Sequence, residues 1–196
     1  MPPKVKIPKE DILQTALALV RQHGEDTINA RAIAAALGCS TQPVFSNFAT
    51  MQELQEATLA AAYDIYLAFL QKEAESGRYP QYKAFGMAYI RFAREETELF
   101  RFLFLRDRKG AALIPTPDFS ASVAIIMHAN GCSQEQAERM HLEMWACVHG
   151  IATMLATSFL TLEEEHISNM LSDVYQGLKA HCREEGTSWT PFASKD

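Results

Sequence analysis

The twenty residues from Asn29 to Phe48, NARAIAAALGCSTQPVFSNF, decide how the chain begins to fold. Asn29 stands where a side-chain oxygen caps a helix, and Ile33 and Leu37 recur one turn apart as that helix's inner face. Gly38 supplies a turn that glycine adopts at little cost, and Ser40 is placed to cap a third helix running to about Asn47. Ala34, Gly38 and Val44 follow the order Ala-x3-Gly-x5-Val. The small residue lets two helices cross closely, the glycine makes the turn, and the valine anchors the later helix against the earlier one. This is helix-turn-helix spacing. Helical hairpins with a turn glycine also occur in bundles that never meet DNA, so the spacing alone leaves both readings open.

Working outward, Ile12, Leu13, Ala16, Leu17 and Val20 repeat at helical spacing ahead of Gly24, which predicts a first helix over 9–23. Thr50 and Glu53 have capping-box spacing and open a long helix to about Ser76, before Gly77 and Pro80. Punctuation then predicts helices over 82–95 and 97–106, followed by a loop over 109–117. Thr116 and Pro117 suit the start of a helix ended by Gly131. Two further capping boxes, Ser133 with Gln136 and Thr161 with Glu164, open helices over 134–160 and 162–185. The expectation is an all-α chain of about nine helices. A helix-turn-helix domain over 7–67 precedes a larger helical domain over 68–188 and a frayed tail over 189–196. No Pro/Gly-rich linker is present, so the boundary is expected inside the long fourth helix.

The 196 residues carry 18 basic and 24 acidic side chains, a net charge of -6, so the overall basic footprint common in nucleic-acid binders is absent. The balance is uneven along the chain. Residues 1–60 hold five basic and six acidic side chains, and Lys4, Lys6 and Lys9 gather in a short N-terminal arm. Such an arm either touches phosphate and an adjacent minor groove or is simply a solvated end. The four cysteines form no Cys-x-x-Cys pair and the first residues are polar, which predicts a cytoplasmic protein. Residues 145–162 are uncharged but include His149, Gly150 and several threonines, and so predict a buried helix with no membrane partner. No two histidines lie one turn apart, and no phosphate loop or nucleophile elbow occurs. Neither a metal, another cofactor nor an enzymatic activity is expected.

The stretch from Ile12 to Leu59 resembles the DNA-binding domain of tetracycline-repressor-like (TetR) transcriptional regulators. The likeness rests on Ala16-Leu17, Gly24 ahead of Thr27, Asn29-Ala30-Arg31-Ala32-Ile33-Ala34, Leu37-Gly38-Cys39-Ser40, Val44-Phe45-x-x-Phe48 and Glu53-Leu54. Trp145, His149 and Gly150 also resemble a Trp-x3-His-Gly element of some subfamilies. The resemblance implies a homodimer that reads a palindromic or pseudo-palindromic DNA duplex, a repressor released by a small, largely apolar effector. Its third helix would enter the major groove, with Thr41 and Gln42 towards the bases. Lys4, Lys6, Thr27, Asn29, Ser40, Val44, Phe45, Asn47 and Thr50 complete the expected DNA-binding set. The family often has Tyr, His and Lys where this chain has Phe45, Asn47 and Met51, so one hydroxyl and one charge are missing from the usual phosphate contacts. An alternative is therefore a relative that keeps the fold as an interaction or ligand-sequestering protein with weak or lost DNA binding.

Aromatic and thioether side chains gather in the second half. Phe85, Tyr89, Phe92, Phe104, Met127, Met144, Trp145 and His149 are the candidates for an effector site, ordinary core being the competing reading. Gly150 and Ala152, with Leu171, Val174, Tyr175 and Leu178, are the candidates for a dimer interface on the last two helices.

Overall fold

The computed structural model describes residues 7–106 and 119–184. Among these the backbone forms nine α-helices and no strand. They are α1 Lys9–His23, α2 Ala30–Ala36, α3 Gln42–Asn47, α4 Met51–Glu75, α5 Gln81–Glu95, α6 Thr97–Phe104, α7 Ser120–Asn130, α8 Gln134–Ala156 and α9 Glu164–Glu184. One 3-10 turn, Glu25–Thr27, sits between α1 and α2. The expected 109–117 loop with its Thr116–Pro117 cap, the 189–196 tail, Lys4 and Lys6 lie outside the described residues. Two units are formed: residues up to 68 with those from 95 to 114, and residues 69–94 with those from 115 onwards.

The first unit is built on the predicted inner faces. Ile12 and Ala16 of α1, Ile33 of α2, Val44 and Phe48 around α3, and Leu54 of α4 form one buried cluster. Each large apolar side chain removed from water there contributes about 1.5–3 kcal/mol. Asn29 caps α2 as expected, its Oδ1 accepting from the Ala32 amide at 2.9 Å. Gly38, at φ +64°, closes that helix. The amides of Gly38 and Cys39 donate back to the carbonyls of Ala35 and Ala34, a Schellman ending that needs a left-handed residue. Gly24 takes φ +86°, a backbone conformation that side chains rarely adopt, and packs beside the movable carboxylate end of Glu98 of α6. Arg21 pairs with Glu96 through both nitrogens of its fork, one of them at 2.7 Å, tying α1 to the start of α6.

Two caps in this unit differ from expectation. Ser40 does not cap α3; the helix starts at Gln42 after Thr41, which makes no side-chain cap bond. Pro43 lies in the first turn, where amides have no intrahelical acceptor and its missing N–H costs nothing. At α4, Thr50 Oγ1 accepts from the Glu53 amide at 3.1 Å, but the Glu53 carboxylate reaches past Thr50 to the Ala49 amide at 2.7 Å.

In the second unit α8 opens with the predicted capping box, Ser133 and Gln136 exchanging bonds of 3.0 and 3.2 Å. It ends at Ala156, short of the expected Leu160. Ser158 takes φ +57°, and the amides of Ser158 and Phe159 donate to the carbonyls of Leu155 and Met154. This is the same helix ending as at Gly38, built with a serine. Its consequence is that Phe159 stands 76% exposed. α9 begins at Glu164, so Thr161 lies too far back to cap it, and the Ile167 amide takes the Glu163 carbonyl at 3.1 Å. Glu164 is engaged instead by Arg91 at 2.6 Å and Arg78 at 3.2 Å. Burial pushes its carboxyl up, but the hydrogen bond and charge of Arg91, with the charge of Arg78, outweigh that and hold it below its usual range. Arg91 also pairs with the buried Glu73 of α4, so one guanidinium ties α4, α5 and α9.

Candidate nucleic-acid interface and a cavity between two helices

The first unit presents the start of α3 as an outward surface. Gln42, Phe45 and Ser46 are exposed, Thr41 is half-buried, and Val44 between them is buried to 0%. Val44 was expected in the DNA-binding set, but its burial beneath Phe48 and Ile33 assigns it to support of the helix. Phe45, at 54%, is the most exposed large apolar side chain described in this unit. The Gln42 amide has no side-chain hydrogen bond among the described residues, whereas most other polar candidates have local duties. Asn29 caps α2, Thr27 Oγ1 donates to the Gly24 carbonyl at 2.6 Å, and Thr50 Oγ1 takes the Glu53 amide. Asn47 Nδ2 donates to the carbonyls of Pro43 at 2.8 Å and Ile7 at 3.2 Å. That last bond holds the beginning of the described chain against α3.

Charge at this surface is sparse. Lys9 is paired with Glu53 at 2.9 Å and lies 4.4 Å from the centre of the Phe48 ring. The Lys9 hydrogen bond, followed by the Ala49 amide, holds the Glu53 carboxyl below its usual range. Arg21 is committed to Glu96. Arg31 is exposed, with no ion pair among the described residues. Met51, where the resembling family often has a lysine, packs partly buried against the core.

The second unit contains a cavity of about 540 Å³ between α7 and α8. Its apolar walls are Phe119, Val123, Met127 and Leu142; Ser120, Gln134, Glu138 and His141 supply the polar part. Of the aromatic and thioether candidates, Met127 is the one in this lining. The others are distributed elsewhere. Phe92 is fully buried and packs edge-on to Phe69 at 5.6 Å, while Phe104 belongs to the first unit, 5.1 Å from Tyr66. Phe85 is half-buried on α5, and Met144 is buried on α8. Tyr89, His149 and Trp145 do come together. Tyr89 Oη lies 2.8 Å from His149 Nδ1, and the Trp145 ring stacks on His149 at 5.2 Å and 13°.

His141, which with His128 and His149 is a sequence candidate for a polar point of an effector pocket, does line the cavity. Its Nδ1 lies 2.9 Å from Tyr82 Oη, and burial holds the imidazole down to about 4 and pushes the Tyr82 phenol well above its ordinary range. The signal for such a pair is absent from local sequence, because Tyr82 and His141 lie on different helices. Among the dimer candidates, Ala152 and Leu171 are buried within the chain itself, and Tyr175 takes a 2.7 Å bond from Asn130 Nδ2. Tyr175 and Leu178 pack partly buried against the Val123–Ile126–Met140 core, Val174 is half-buried, and Gly150 has open space where a side chain would be.

Among the described residues the chain is all-α, and its first unit is a helix-turn-helix on a buried support. A sequence-family model described as "Tetracyclin repressor-like, C-terminal domain" matches residues 82–174. Among curated protein sequences none matches the chain. Two solved structures share the fold along nearly its whole length. One is a candidate transcriptional regulator from Pseudomonas aeruginosa PAO1, 16% identical, covering 90% of this chain and 92% of its own, with a TM-score of 0.68. The other is a TetR-like transcriptional regulator from Rhodococcus sp. RHA1, 15% identical, covering 90% and 96%, with a TM-score of 0.64. Residues 82–174 are thus similar to the C-terminal domain of tetracycline-repressor-like proteins, and the fold is shared along nearly the whole chain.

Proposed function

We propose that the protein is a dimeric, cytoplasmic, non-enzymatic regulator of transcription that represses by binding a palindromic or pseudo-palindromic operator and is released by a small, largely apolar effector. The observation that carries the reading is the outward first turn of α3, where Gln42 is exposed and its side chain uncommitted. Glutamine bonds adenine through two atoms, and the neighbouring threonine offers a hydroxyl and a methyl. Two such helices in a dimer must sit about 34–36 Å apart, or a multiple of that, to meet successive major grooves. An effector held more tightly by one spacing than by the other then shifts the population between them, with α4, which contributes residues to both units, as the element to bias.

The test is a gel shift of the purified protein with DNA from upstream of its own gene, with and without lipophilic compounds. Retardation at low salt, relieved by a compound, is the expected result. No retardation of any such fragment overturns it. Sizing in solution tests the dimer, which a concentration-independent monomer excludes.

A second reading is favoured by the exposed Phe45, the inward Met51 and the shortage of free cations near α3. On it the chain keeps the fold as an interaction or ligand-sequestering protein. DNA affinity unchanged by Thr41→Ala and Gln42→Ala together would select this reading.

A further inference from the structure

We propose that the cavity between α7 and α8 takes an uncharged, flat apolar molecule carrying one carbonyl-type acceptor, and that the Nε2–H of His141 is the donor that anchors it. This deepens the effector reading above and rests on it for what the occupant does.

Distance alone fits either tautomer of the 2.9 Å Tyr82 Oη–His141 Nδ1 pair; the proposed anchor is the one in which the phenol, the stronger acid, donates to Nδ1 and the ring proton resides on Nε2. That Nε2 is shut from water and has no partner among the described residues. An orphaned buried N–H is rare in folded proteins, and it marks a place that an acceptor completes. The Phe119 ring lies 4.5 Å from the imidazole, edge to face, and also lines the cavity. In the proposed complex an acceptor reaches Nε2 by displacing that ring.

The remaining lining sets the class of ligand. Val123, Met127 and Leu142 give apolar walls, and the 540 Å³ volume is in the range of small-molecule sites. No lysine or arginine lines the cavity, while Glu138 does, its carboxylate taking a 2.8 Å bond from Gln134 on the solvent side. An anionic occupant would be desolvated with nothing to pair it and would face a like charge. The neutral imidazole adds no positive charge to offset this.

Equilibrium dialysis of the full chain against naphthalene, 2-acetylnaphthalene and 2-naphthoate tests each part. The ketone is expected to bind one site about fivefold more tightly than the hydrocarbon, the factor of one neutral hydrogen bond, although it is the less hydrophobic of the two. Naphthoate is expected to bind more weakly than either. His141→Phe should abolish the preference for the ketone while keeping naphthalene binding. Ala124→Phe, at an exposed position on the cavity wall, should abolish binding of both neutral probes without disturbing the core. Equal affinities in the unaltered protein, naphthoate as the tightest probe, a ketone preference that survives His141→Phe, binding undiminished by Ala124→Phe, or no saturable binding each overturn the proposal. The two readings fail separately. A ketone that binds through His141 without changing DNA affinity leaves this site standing and removes its effector role. DNA binding with an empty cavity does the reverse.

Discussion

The hydroxyl of Tyr82 lies 2.9 Å from Nδ1 of His141, and two turns further along both helices Tyr89 repeats the pairing with His149 at 2.8 Å. The repeat in the same direction means that α5 and α8 run alongside each other in parallel. Gly86, between the two tyrosines, makes the approach possible: an added Cβ would meet Val148 at 3.3 Å and Leu171 at 3.4 Å. Each tyrosine hydroxyl meets one ring nitrogen of a histidine, and burial favours the neutral ring of His141.

The His141 pair predicts an acid-sensitive component of stability. The folded imidazole titrates at about 4 and an unfolded one at about 6.5. Between those values the unfolded chain binds more protons, so stability falls as pH drops from about 6.5 towards about 4, by at most about 1.4 kcal/mol per pH unit. Urea unfolding across this range should show that slope, and His141→Phe should flatten it.

Replacing Gln42 with alanine should weaken operator binding by about 1–3 kcal/mol, the worth of a two-atom base contact, and leave affinity for unrelated DNA unchanged. Fluorescence anisotropy with operator and scrambled duplexes checks both halves. An equal loss on both duplexes would move Gln42 from base reading to backbone positioning.

Operator affinity should depend only weakly on salt. Each phosphate neutralised by a cation adds about -0.9 to the log-log slope, and Lys9 and Arg21 are already paired with Glu53 and Glu96. The slope should stay well short of about -10, a value seen for repressors with many phosphate contacts, and Arg31→Gln should make it shallower still. Titrations at several salt concentrations measure it.

Ser158→Gly should stabilise the protein by about 0.5–1 kcal/mol, because serine at φ +57° carries the left-handed penalty that glycine avoids. The urea midpoint should rise with an unchanged m-value. Phe48→Ala, which empties a 1%-exposed position under α3, should cost about 3–5 kcal/mol on the same assay.

Local features of the chain were legible from residue order. Asn29, Ser133 and Gln136 act within one turn of their own helix, their side chains meeting the backbone atoms that their spacing predicts, and Gly38 makes the turn expected of it. The inner faces of α1 to α3 were legible for the same reason: Ile12, Ala16, Ile33 and Val44 recur at the helical period. Ser158 was not, since a serine carries no signal that a helix will stop before it.

Sequence by itself determined the nine helices of the described residues and the helix-turn-helix turn, because each rests on contacts a few residues long. Tertiary structure alone decided which side chains are spent on the fold and which are left over. Lys9 goes to Glu53, Arg21 to Glu96, Met51 to the core, and Gly86 rather than Gly150 to the close helix approach. His141 acquires a buried, unpartnered nitrogen only when α5 brings Tyr82 to its other side. Hydrogen bonding and burial act between residues distant in the chain, and no reading of periodicity or spacing contains those distances.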